Sequence, residues 1–220
     1  MNTPQLIPTA EAAFIAGLSD RQMHRVVDER LVPEALVEQS GSNRLYTRLG
    51  AAFAKFYFAT EDQLLAGARR QILDELSGRV GLLAEKDQVL ALKLLDTVNW
   101  QVERNHVTVD VLPFLQDAAR RANEVDQAKT LVTSDTEVMG GVPVFAGTLV
   151  PVSSVLSSLA TGIASDRLMA SYPFLTEALI HAAKVYEAVH PRRGRPRRLA
   201  DLNPGLTVQV KRVVKRAATP

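Results

Sequence analysis

Residues Thr9–Arg30 read "TAEAAFIAGLSDRQMHRVVDER". Thr9 is a helix-capping residue type, and Ala12, Ala13, Phe14 and Ile15 supply the apolar positions of a first helix. Gly17 sits where that helix must stop, because glycine accepts the left-handed conformation at a helix end. Ser19 then caps a second helix running to about Arg30, with Met23, Val26 and Val27 facing inward. Arg21, Gln22 and Arg25 lie near its start and point away from that face. Two short helices joined by a glycine-containing turn make a helix-turn-helix, whose second helix offers its N-terminal residues to the major groove.

The next stretch, "LVPEALVEQSGSNRLYTRLG", predicts a hairpin that turns at Ser40–Asn43. Strict alternation places Arg44, Tyr46 and Arg48 together on one strand face. That is the make-up of a wing, with cations for phosphates. The candidate DNA-binding residues are therefore Arg21, Gln22, Arg25, Arg44, Tyr46 and Arg48. The segment "EAAFIAGLSDRQMHRVVDERLVP" followed by "NRLYTR" resembles the winged helix-turn-helix of the MerR type. Met23 stands near the place where that family usually carries an aromatic residue.

Composition bounds the rest. The chain has 220 residues and a formal net charge of +2, with no cysteine and four scattered histidines. Disulfides and cysteine-based zinc sites are excluded, and no metal or cofactor is expected. No apolar run approaches the ~20 residues of a membrane span. The N-terminus lacks a basic region followed by an apolar core, so the expected compartment is the cytoplasm. No nucleophile–base pairing, metal-ligand spacing or nucleotide loop stands out, and no catalytic residue is expected. His181 reads as a surface or partly buried residue.

Residues 50–79 have helical periodicity and complete an N-terminal domain of residues 1–79. Residues 80–133 form a connecting or dimerisation region. Within it "VLALKLLDTVNW" fits a helix or a buried strand, whereas "HVTVD" alternates as a short strand. Residues 111–132 read as a helix whose stripe of Leu115, Ala118, Ala119, Ala122, Val125 and Ala128 is either a homodimer seam or a face packed on the core.

Gly140–Val152, "GGVPVFAGTLVPV", punctuates a further unit, residues 134–190. "EVM" and "PVF" suggest a small hairpin or extended arm. Three helices follow. Pro151 opens the first and Gly162 ends it; Ser165 caps the second, which stops at Tyr172 before Pro173; Thr176 opens the third. The expected fold class is mainly α: a winged helix-turn-helix, a three-helix domain with a short β arm, and an extended basic tail over residues 191–220.

Gly141, Pro143, Gly147, Thr148, Val152, Tyr172, Pro173, Leu175 and Thr176 follow a Gly-x-Pro…Gly-Thr…Tyr-Pro pattern. This segment resembles a small antitoxin-associated domain family long catalogued as a domain of unknown function. Leu149 departs from the pattern, which usually has arginine after Gly-Thr. The resemblance implies the antitoxin of a VapBC-like toxin–antitoxin pair, with a PIN-like ribonuclease toxin as partner; the helix-turn-helix is expected to read operator DNA as a homodimer on an inverted repeat.

The tail begins "HPRRGRPRR" at His190. PIN-type toxins, as a family, hold metal with clustered acids, which arginines suit. Arg192, Arg193, Arg195, Arg197 and Arg198 are the candidate toxin-binding residues. "LTVQV" further on alternates as a strand able to join a partner's sheet. "RGRPRR" also resembles the core of an AT-hook, which lies in the minor groove, and a solvated basic linker is the plainer alternative. A second reading of the whole chain is a MerR-like regulator whose C-terminal half senses a small ligand in a pocket near Trp100.

Overall fold

In a computed structural model, residues 5–41, 43–104 and 106–191 are described. The chain is mainly helical, with three small antiparallel sheets among those residues. It begins with β1 (Ile7–Pro8), α1 (Thr9–Ala16) and α2 (Asp20–Asp28). Gly17 closes α1 at φ 69°, and its N–H bonds back to the Phe14 carbonyl at 3.2 Å. The N-cap of α1 is Pro8, however, and Thr9 makes no capping bond; its hydroxyl donates to the Arg44 carbonyl at 3.4 Å instead. Ser19 opens α2 with a reciprocal capping box: Ser19 Oγ accepts from the Gln22 N–H at 3.3 Å, and Gln22 Oε1 accepts from the Ser19 N–H at 3.0 Å.

A hairpin of β2 (Val37–Ser40) and β3 (Asn43–Tyr46) follows, with β1 on the other side of β3. Tyr46 thus pairs with both Val37 and Ile7. The strand stops there. Thr47 caps α3 (Arg48–Ala59), accepting from the Gly50 N–H at 3.0 Å. Arg48 is therefore the first residue of a helix, and the expected strand face of Arg44, Tyr46 and Arg48 does not form.

Helix α3 runs through the core, and after a turn α4 (Ala66–Gly81) continues the chain. The stretch left open between helix and strand becomes a short α5 (Lys86–Leu90) and a 3-10 turn. The alternating "HVTVD" forms β5 (Val107–Asp110), paired with β4 (Gln101–Arg104). Trp100 is 2% exposed, packs edge-on against Phe53, and its indole N–H donates to the Leu95 carbonyl at 2.6 Å. Its ring and its donor are both used in holding the core.

Helix α6 (Leu112–Leu131) buries Leu115, Ala118, Ala122, Val125 and Ala128, while Ala119 is half-buried. Small residues let neighbouring helices approach closely, and α3, α9 (Glu177–Val189) and α1 occupy this face. The stripe is covered by the chain itself and offers no homodimer seam.

The C-terminal unit starts at β6 (Val132–Thr133), which pairs with β7 (Val144–Phe145). "EVM" is not a strand: Met139–Gly141 forms a 3-10 turn. Gly147, at φ 74°, allows the return from β7, and Thr148 locks it, donating to the Phe145 carbonyl at 2.9 Å and accepting from the Val150 N–H at 3.1 Å. Then come α7 (Val152–Ala160), α8 (Ser165–Ser171) and α9. Ser165 lies inside α8, whose N-cap is Ala164, whereas Thr176 does cap α9, accepting from the Leu179 N–H at 3.2 Å. These helices enclose a second core of Phe145, Val152, Val155, Leu168, Leu175 and Ile180.

Helix α9 belongs to both cores. Ile180 and Ala183 face the second, while Ala182, Val185 and Val189 complete the first against α1 and α6. The three-helix unit is thereby joined to the helix-turn-helix through shared apolar burial, and the position of the α9 C-terminus is set by that packing.

Candidate nucleic-acid interface

Helix α2 buries Met23 and Val26 and exposes Asp20, Arg21, His24, Arg25 and Asp28. The 3.6-residue period puts Arg21, His24, Arg25 and Asp28 on one outward face. His24 was not among the residues expected from sequence, although its place three residues after Arg21 is the signal that finds it. Gln22 is turned to the helix start, where its Oε1 also accepts from Ser19 Oγ at 2.8 Å. It serves as a cap, a role its spacing from Ser19 encodes.

The cations on this face are largely matched. Arg25 pairs with Glu29 at 2.6 Å and stacks 5.5 Å over the Phe58 ring. The Arg25 hydrogen bond holds the Glu29 carboxyl below its usual range. Arg44 grips Asp28 through Nη2 at 2.8 and 3.1 Å. Arg21 is exposed and has no carboxylate partner among the described residues. Three guanidinium groups, Arg21, Arg25 and Arg44, thus stand with three carboxylates, Asp20, Asp28 and Glu29, so this face carries no surplus positive charge.

Tyr46 and Arg48 do not reach this face. Tyr46 is 0% exposed, and its phenol donates to the Met23 carbonyl at 2.8 Å; burial pushes its pKa up. Pairing with both Val37 and Ile7 puts its ring against the core, so the alternation that suggested a wing contact actually points it inward. Arg48 is 6% exposed and bridges Glu11 of α1, at 3.6 Å, to Asp126 of α6, with its Nη1 at 2.8 Å from Oδ2 and a second bond from Nη2 to Oδ1. Lys129 completes the cluster, 2.7 Å from Glu11. The Arg48 hydrogen bond draws the Asp126 carboxyl below its ordinary pKa. Both residues are structural: Tyr46 ties the wing to α2, and Arg48 clasps α1 and α3 to α6.

A cleft of about 660 Å³ opens beside α2. Thr9, Asp20, His24 and Arg44 line it, together with His190 and Pro191 from the end of α9. His190 is anchored there, stacked on Tyr186 with ring centroids 4.2 Å apart. The arginines expected to bind a toxin, Arg192, Arg193, Arg195, Arg197 and Arg198, lie outside the described residues, as does "LTVQV".

A second cleft, of about 430 Å³, lies in the C-terminal unit between the β6–β7 pair and the Thr148 turn. Thr133, Val138, Val144 and Leu149 are among its walls. Leu149 is 70% exposed, and Met139 and Val142 in the same arm are also exposed. Leu149 stands where the domain pattern carries arginine, so the departure adds apolar surface. His181 is exposed, 3.4 Å from Glu124. Among the described residues no group of three or more acidic or histidine side chains is placed to hold a metal, and no helix is long and apolar enough to cross a membrane.

Residues 132–186 match the family described as "Protein of unknown function (DUF433)". That is the segment carrying the Gly-x-Pro…Gly-Thr…Tyr-Pro pattern. Over 217 residues the chain is 32% identical to "Uncharacterized protein y4eO" of Sinorhizobium fredii (strain NBRC 101917 / NGR234), covering 98% of this chain and 96% of the relative. No solved structure matches the chain significantly.

Proposed function

This chain belongs to the family of the Sinorhizobium fredii protein y4eO, and we propose that it is a cytoplasmic antitoxin that binds DNA to repress its own operon and captures a PIN-like ribonuclease toxin. The observation that carries the reading is the joining of two units in one chain. One is a winged helix-turn-helix with an outward α2; the other is a DUF433 segment with an exposed apolar arm. Helix α2 enters the major groove with Arg21, His24 and Arg25, and the hairpin of β2 and β3 follows the backbone with Arg44. Two copies bind an inverted repeat. The toxin docks on the arm around Leu149, where apolar exposure beside a cleft favours a protein partner. A ligand-sensing regulator is the weaker reading, because Trp100 is engaged in the core.

Co-expression with the adjacent open reading frame, tagging only that neighbour, tests the proposal. The full chain is expected to co-elute and to relieve growth inhibition by the neighbour. Leu149→Asp is expected to keep the fold, since it changes an exposed side chain, and to lose co-elution. A harmless neighbour that retains nothing would end the antitoxin reading.

A further inference from the structure

The hairpin of β4 and β5 has two edges, and they differ. The β4 edge lies against α4: Arg79 Nη1 donates to the Gln101 carbonyl at 2.8 Å, and Arg104 pairs with Glu75 at 3.0 Å. The β5 edge has no such cover. The Val111 N–H donates to the Trp100 carbonyl at 3.1 Å. Bonded pairs alternate along an antiparallel ladder, so Val109 bonds Val102 and Val107 bonds Arg104. The main chain of Thr108 therefore faces away from β4. Among the described residues, nothing outside the hairpin bonds to it.

An open edge is a template for another strand, and folded proteins blunt such edges with lysine, proline or a bulge. The sequence of β5, "VTVD", contains neither residue, and its register with β4 is continuous. It also carries uncovered apolar surface. Val107 is 58% exposed, while Val109, on the same strand face, packs against the first core.

We propose that the β5 edge is the contact between two copies of this chain, paired antiparallel about a two-fold axis at Thr108. The proposal rests on the two-copy reading above and gives it an interface. In this register Thr108 stands opposite itself and supplies two main-chain hydrogen bonds, one in each direction. Val107 stands opposite Val109, so the exposed valine is covered and the apolar surface of the first core continues across the axis. The turn residue His106, exposed, stands opposite Asp110, whose Oδ2 holds only a 3.4 Å bond from Gln101. An imidazole N–H thus meets a carboxylate twice. The strand is complementary to itself, which is what an isologous contact requires. The pairing also closes: once joined at β5, the two hairpins present only β4 edges, each covered by its own α4, and assembly stops at two copies.

The test uses the full chain without DNA. Sedimentation equilibrium over a wide range of concentration is expected to show a monomer–dimer equilibrium. Thr108→Pro removes only the outward N–H and leaves the bonds between β4 and β5 in place. Without the two central bonds the dissociation constant is expected to rise about 10- to 100-fold. Thr108→Cys introduces a single thiol into a chain that has none. On oxidation it is expected to form a disulfide-linked dimer, since opposed residues of a bonded pair have Cα atoms about 5.5 Å apart. Asp62→Cys, on an exposed turn, is expected to stay monomeric. The cross-link decides the matter if Thr108→Pro lowers the urea midpoint. A full chain that stays monomeric, or a dimer that Thr108→Cys fails to cross-link, overturns the interface. If the full chain is monomeric and Thr108→Pro loses co-elution with the toxin, the edge belongs to that partner instead. Binding of two copies to an inverted repeat by a chain monomeric in solution would leave the DNA reading standing without this contact.

Discussion

The phenol of Tyr46 donates to the main-chain carbonyl of Met23 at 2.8 Å, a buried bond between β3 and α2. The hydrogen bond sets the angle between the two elements that the proposed site presents to DNA. Tyr46→Phe keeps the ring but removes the donor. Losing one buried hydrogen bond is expected to cost about 1–2 kcal/mol, read as a lower urea midpoint. The salt slope of DNA binding is expected to stay as it is, because no phosphate contact is removed. An unchanged midpoint would mean that the bond contributes nothing.

Arg48 has the opposite chemistry in a similar place. Its side chain is 7% exposed between Glu11, at 4%, and the half-exposed Asp126. Arg48→Met leaves the Glu11 carboxylate buried with only Lys129 as its cation. The expected loss is about 2–4 kcal/mol, below the full penalty of breaking a buried pair because Asp126 turns partly to water. Urea unfolding of the variant measures it. A Glu11→Gln, Arg48→Met double variant is expected to be more stable than the single one, since the stranded charge is gone.

Acid sensitivity follows from the carboxylates bonded by these cations. Arg48 lowers the pKa of Asp126, and Lys55 lowers that of Asp117. A carboxyl depressed in the folded state stabilises the protein above its unfolded pKa of about 3.9 and loses that contribution as pH falls through the folded value. The urea midpoint is therefore expected to hold from pH 7 to about 5 and to drop below about 4. Asp126→Asn should start lower at pH 7 and show a shallower acid limb. Parallel acid limbs would show that this pair does not set the dependence.

Gly17 has φ 69°, and a Cβ there would lie 3.3 Å from Arg121 Nη1. Arg121 in turn donates to the Phe14 carbonyl at 2.6 Å at the end of α1. Gly17→Ala is expected to cost about 1–2 kcal/mol from the left-handed backbone alone. Pushing Arg121 aside adds to this, and thermal unfolding should report the sum. A neutral result would mean that the turn relaxes without disturbing α6.

Much of the N-terminal unit was legible because its signals are local. Ser19 and Gly17 act over three or four residues, and the periods of α2 and β5 repeat within one turn or one pleat; Gln22, expected at the DNA, is instead the other half of the Ser19 capping box. The same locality made Pro151, Tyr172 and Thr176 readable in the C-terminal unit. The wing misled because two local signals competed. Alternation carried the strand on to Arg48, whereas Thr47 and Gly50 start a helix there; a Cβ on Gly50 would lie 2.7 Å from the Leu36 carbonyl. The "EVM" arm failed for a related reason: the partner of β7 is β6, and Val138–Gly141 turns between them.

By itself the sequence determined several helix ends, at Gly17, Ser19, Tyr172 and Thr176, which stretch resembles a helix-turn-helix, and where the arginines gather. Caps, turns and periodicity are decided by neighbours within a few residues. Only the tertiary structure decided which cations are already taken and which aromatic is inside. Arg48 meets Asp126 across 78 residues, and Tyr46 meets Met23 across 23. Only the packing of α9 on α1 brings the end of the described chain to Asp20 and His24. Such pairings depend on the shared burial of distant segments, which no short window of sequence contains.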